Sequence, residues 1–188
     1  MKSIIDTSTR EKFYIRLYFN IKDGYELAGV RRAYLDFSRT LHKKNETDEQ
    51  RKKKRTETEL FIEKRLKNII YSSLRGQSVF DKKHKELTLH LVRYWNKLTI
   101  GQAQKWINMS LKYWLLFGHN RIPNIEKNAK YFHIPIDGII QEKMFPELEY
   151  SAWSKIKTYD EYFKYQISFR EKSDKIPIVA EFEEFNNS

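Results

Sequence analysis

Between residues 102 and 117 the chain runs QAQKWINMSLKYWLLF, apolar on almost every side, and this limits the fold more than any other stretch. A helix that is apolar nearly all round belongs at the centre of a fold, covered by other helices. Its polar members Lys105, Asn108 and Lys112 recur at three- and four-residue spacing and form one stripe.

The covering elements follow from the same periodicity. Residues 10–21 predict a helix through Phe13, Leu17 and Ile21, and residues 26–42 a second through Leu27, Val30, Tyr34, Phe37 and Leu41. Further helices are expected over 56–74, 82–97, 138–144 and 159–172, with apolar residues three or four apart. Residues 43–55, KKNETDEQRKKKR, hold no apolar side chain and read as a solvated loop or a helix extension. Their basic run, 51–55, is a candidate phosphate contact. The tail, 176–185, alternates apolar and acidic residues and reads as extended. With only 6 Gly and 4 Pro, the chain has too few turn formers for an all-β fold. The expectation is a compact all-α protein, a single helical domain over residues 1–188, or two small helical subdomains flanking a cleft with 75–78 as a cleft-side connection.

Lys and Arg number 36 against 25 Asp and Glu, a formal net charge of +11. That excess draws polyanions: nucleic acid first, an anionic membrane surface second. A lysine-rich coding bias produces the same excess with no partner at all. The absence of Cys excludes disulfides, thiolate zinc sites, Cys-ligated clusters and Cys nucleophiles. The five His lack metal-ligand spacing, and no Gly-rich phosphate loop is present, so neither metal nor nucleotide cofactor is expected. The longest apolar stretch, 113–117, is too short to span a bilayer. Residues 1–10 are polar, unlike a secretion signal. A cytoplasmic, nucleoid-associated monomer is the expectation.

Two short segments carry the chemistry. The first is a helix–turn–helix junction, Leu98-Thr99-Ile100-Gly101-Gln102-Ala103-Gln104-Lys105; the second is Ile134-Pro135-Ile136-Asp137, opening the helix at Gly138. In this order they resemble the helix-hairpin-helix DNA glycosylases with a catalytic Lys. That family's pattern has a Lys four residues after a hairpin Gly, followed later by an apolar-Pro-apolar-Asp segment that opens a helix. Here these are Gly101, Lys105 and Pro135-Ile136-Asp137, with 32 residues from the Lys to the Asp. The long gap looks like the archaeal 8-oxoguanine glycosylase and the small bacterial proteins like it. The resemblance spans residues 87–144, with the core at about 82–145. One departure is Ala103, which stands where family hairpins usually carry a second Gly.

The resemblance implies a DNA glycosylase with AP-lyase activity that flips a damaged, 8-oxoguanine-like base out of duplex DNA. Lys105 would attack the sugar C1′ and form a Schiff base. Trp106, Met109 and Lys112 are the neighbours expected to help it shed its proton. Asp137 would stabilise the oxocarbenium-like sugar or accept the Lys105 proton. Thr99, Gly101, Gln102 and Gln104 at the hairpin, with Lys97 and Lys112, are the expected DNA contacts. His133 and Trp106 are second-tier candidates, an acid–base group and a stacking surface.

Each residue also has a plainer reading. Lys105 on a polar stripe is ordinarily a solvated side chain, Asp137 before an apolar helix an N-cap, and Gly101 a helix terminator. Trp95, Trp106, Trp114 and Trp153 read as core. The alternatives are a non-catalytic basic helical DNA-binding protein of a mobile-element or defence system, or a helical interaction protein with compositional charge.

Overall fold

The computed structural model describes residues 4–41, 47–72, 74–148 and 151–186. It is all-α, with no strand among the described residues. In chain order the helices are α1 (Thr7–Tyr18), α2 (Tyr25–Phe37), α3 (Asp48–Tyr71), α4 (Gln77–Tyr94), α5 (Ile100–Phe117), α6 (Ile125–Asn128), α7 (Gly138–Met144), α8 (Tyr159–Lys172) and α9 (Pro177–Asn186). Short 3-10 turns occupy Ser38–Thr40, Ala129–Tyr131 and Trp153–Lys155.

The local chemistry explains where these helices begin. Thr47 and Gln50 form a capping box at the start of α3, and Asp48 and Glu49 place negative charge in its first turn. The charged run from Asp48 onward is therefore a helix extension rather than a loop; residues 43–46 lie outside the described residues. Thr99 and Gln102 form the same box at the start of α5, so Gly101 lies in its first turn rather than in the turn between helices. The tail departs from expectation, for residues 177–186 form α9 rather than an extended strand. Pro177 suits a first helical turn, and Ile178, Glu181, Phe182 and Phe185 keep helical spacing.

Helix α5 is central, as its composition requires: Trp106, Leu111 and Trp114 are fully buried. It packs closely on α2, where a Cβ built at Gly29 would fall 2.7 Å from Trp114 Cδ1. Two indoles stitch the helices together, Trp106 Nε1 donating to the Val30 carbonyl at 2.9 Å and Trp114 Nε1 to that of Glu26 at 2.8 Å. Around α5 the buried apolar side chains fall into two clusters. One gathers side chains of α1–α5; the other gathers Ile100, Ile134, Ile136, Ile140 and the aromatic face of α8. Trp153 packs against both. The first half of α5 and the extended segment 132–137 meet where these clusters join.

Candidate functional site

The polar stripe of α5 faces inward. Lys105 is only 4% exposed, and its Nζ lies 2.5 Å from Asp137 Oδ2. The structure thus brings the two together across 32 residues. Asp137 serves two partners: Oδ1 accepts from the Ile140 amide at 2.9 Å, capping α7, and Oδ2 receives the Lys105 ammonium. Burial pulls this carboxyl up. The adjacent Lys105 charge and the bonds from Lys105 and Ile140 outweigh it, and the carboxyl is held below its ordinary value. The Asp137 side chain keeps 25% of its surface open, so this end of the pair can be reached from solvent.

Two turns further along, Lys112 pairs with Glu181 of α9. Above its ammonium lie the rings of Phe182, at 4.7 Å, and Phe185, at 4.9 Å. Burial raises Glu181 above the usual carboxylate range despite the Lys112 charge. Asp36 of α2 is also raised by burial, against the Tyr113 hydroxyl, which donates to it at 2.8 Å, and the Lys105, Arg32 and Lys112 charges. The Trp153 ring centre stands 5.9 Å from Lys105 Nζ. Two lysines, three carboxylates and three aromatic rings therefore share one neighbourhood. Such a set offers a nucleophile, proton acceptors and stacking faces.

Several expected DNA contacts are placed elsewhere. Gln102 is buried, and its amide donates to Thr40 O at 3.1 Å and Thr40 Oγ1 at 3.0 Å while its oxygen caps Thr99. Gln104 is fully buried and bonded to Ile136. Neither can present its amide to a phosphate. Lys112 is not a surface cation but lines the inner site under α9. Thr99 Oγ1 accepts from Gln102 N at 3.1 Å and donates to Ser154 O at 2.9 Å. A Cβ at Gly101 would sit 1.7 Å from the Trp153 carbonyl oxygen, and the Gly101 amide donates to Ile156 O at 3.3 Å. The close approach that requires glycine here is to the chain's own 153–156 turn. Lys97 is half-buried, just beyond α4.

The second-tier residues also resolve. Trp106 is core and spends its N–H on α2. His133 is fully buried, with Nδ1 2.8 Å from the Tyr162 hydroxyl and Nε2 2.7 Å from Asp81. Burial pushes its pKa down to about 4, against the Asp81 bond, so the imidazole is neutral near pH 7. The sequence reading missed Glu181, Phe182, Phe185, Asp36 and Tyr113. The helical spacing of α9 was the available signal for the first three.

No family model matches the chain, and neither does any curated protein or solved structure compared with it. Among the described residues, no helix is long and apolar enough to cross a membrane, and no group of three acidic or His side chains could hold a metal ion.

Proposed function

We propose that this protein is a DNA glycosylase with AP-lyase activity acting on a damaged, 8-oxoguanine-like base. The observation that carries the reading is the 2.5 Å contact between Lys105 and Asp137, a nearly buried amine held on a partly exposed, ionised carboxylate at a helix start. A buried ion pair contributes little net stability, because desolvation offsets the attraction. A chemical role accounts for it better.

In this reading Lys105 passes a proton to Asp137 along their hydrogen bond and its free amine attacks C1′ of a flipped nucleotide. The C1′–N bond to the base breaks, and the base leaves with the proton relayed by Asp137. A second proton then passes from the bound amine to the ring oxygen O4′ as the C1′–O4′ bond breaks, leaving a Schiff base at C1′; loss of a C2′ proton expels the 3′ phosphate and cleaves the strand. The charged carboxylate also stabilises the positive sugar on the way. The extruded base goes to the Lys112–Glu181 end, where two carboxyls and an ammonium can read its edge and Phe182 and Phe185 supply stacking faces. Admitting it requires α9 to give way around Phe185, which is 63% exposed. The net positive charge supplies the sequence-independent attraction to the duplex.

The test is borohydride trapping on a panel of lesion-containing duplexes. A covalent adduct with wild-type protein that disappears in Lys105→Gln is expected. No adduct on any lesion or abasic duplex, despite salt-dependent binding, overturns the enzymatic reading.

A further inference from the structure

Among the described residues no strand neighbours segment 132–137, yet the segment runs extended through the interior. Two buried glutamines supply the hydrogen bonds that a strand would have made. The Gln166 amide of α8 donates to Ile134 O at 3.0 Å, and its oxygen accepts from Ile134 N at 3.0 Å. Gln104 of α5 does the same two residues on, donating to Ile136 O at 2.8 Å and accepting from Ile136 N at 3.3 Å. Gln104 neighbours Lys105 in the chain, and Ile136 neighbours Asp137. One side chain thus ties the backbones that carry both members of the pair.

The orientation of that amide is set by what surrounds it. Asn108 Nδ2 donates to Gln104 Oε1 at 3.0 Å and to the Tyr162 hydroxyl at 2.9 Å. Tyr162 must then donate to His133 Nδ1, and His133 Nε2–H donates to Asp81 at 2.7 Å. Each donor finds an acceptor only if the chain runs in this direction. Flipping the Gln104 amide would set its N–H groups against those of Ile136 and Asn108. The network is fully buried from Gln104 to His133, where an unmade bond is costly.

We propose that Gln104 is a positioning residue that holds Ile136, and through it Asp137, at reacting distance from Lys105. The inference rests on the glycosylase reading above. Gln166 is the internal control: equally buried and bonded in the same way to both backbone groups of one residue of the segment, but holding Ile134, three residues from Asp137, and without the added Asn108 bond that Gln104 accepts.

The experiment compares Gln104→Met and Gln166→Met with wild type for thermal stability, duplex affinity, trapping rate at an abasic site, and Asp137 titration followed by carboxyl NMR. Both substitutions are expected to lower stability, Gln104→Met the more because Asn108 also loses an acceptor, and to leave affinity unchanged. Only Gln104→Met should slow trapping, by about tenfold to a hundredfold as expected for a misplaced reacting group. Only in Gln104→Met should the Asp137 midpoint move up towards that of an ordinary carboxylate. If Gln104→Met does not fold, Gln104→Asn is used, whose amide is one methylene too short to hold Ile136 in the same way. Equal trapping rates and equal Asp137 midpoints in the two variants overturn the positioning role. A wild-type protein that forms no adduct overturns the glycosylase reading alone, and the titration then still decides the positioning.

Discussion

Helix α5 carries two buried lysines two turns apart, each paired with a carboxylate, and the pairs are built differently. Asp137 stands at a helix start on a segment held through its backbone, and its carboxyl is lowered. Glu181 stands on the last described helix, under two phenylalanine rings, and its carboxyl is raised. An amine and a carboxylate thus make an ionised pair at one end and a more readily protonated carboxyl at the other. The difference lies in what else each carboxylate bonds. Asp137 also accepts the Ile140 amide, whereas Glu181 is deeply buried, and its desolvation outweighs the Lys112 charge. On the proposed reading the first pair does the bond-breaking and the second receives the base.

The sharpest way to break that assignment is Lys105→Gln. It should abolish the trapped adduct while far-ultraviolet dichroism stays unchanged; an adduct that survives places the nucleophile elsewhere. Asp137→Asn comes next. Its amide oxygen can still cap α7, but Lys105 loses its anion, and single-turnover excision should slow by about two to four orders of magnitude. The stranded ammonium should also cost roughly 3 kcal/mol, readable by urea unfolding.

Acid should weaken the scaffold of the Lys105 end. His133 is pushed down to about 4 by burial, from an ordinary 6.5. The unfolded chain then takes up a proton that the folded chain refuses. Stability is fully present above pH 6.5 and falls as the pH drops towards 4, by roughly 3 kcal/mol in all. His84, buried beside it, shifts in the same direction. Urea midpoints between pH 7 and 4 test this, and a flat profile removes the neutral-histidine account. The two carboxylates should separate in the same titration. Asp137 is depressed, so the stability it contributes is present above the usual carboxylate range and is lost as the pH falls through that range to its lower folded value. Glu181 is raised, so it protonates first, and its protonation favours the folded chain.

Glu181→Gln should slow excision of an intact damaged base by about tenfold, the worth of one hydrogen bond in the transition state. Trapping at an abasic site, where there is no base to hold, should stay at the wild-type rate. Equal losses on both substrates would merge the two ends into one functional unit. The smallest effect is expected from Lys97→Glu, about two- to fivefold weaker duplex binding at low salt, equal for all sequences.

Much of this was legible in the sequence. The central helix followed from its apolar faces, and the Lys105–Asp137 pairing followed from a resemblance carried by a few residues. The orientation of the polar stripe was not legible. Periodicity shows that Lys105, Asn108 and Lys112 share a face but not whether water or protein lies opposite. Here protein does, so Gln104 and Asn108 became a buried network instead of a solvated edge. Helix α9 was missed because Ile176 to Phe182 satisfies an alternating pattern as well as a helical one, and only packing decides between them.

Asp137 divides its two oxygens between a helix and an amine. On the proposed reading, when Lys105 becomes bound to the sugar, one oxygen loses its partner while the other stays seated on Ile140. The carboxylate cannot swing away during the covalent stage, and the returning amine meets it where it was left. Turnover then needs no search by this side chain, and the vacant oxygen is a fixed perch for the water or proton that completes the cycle.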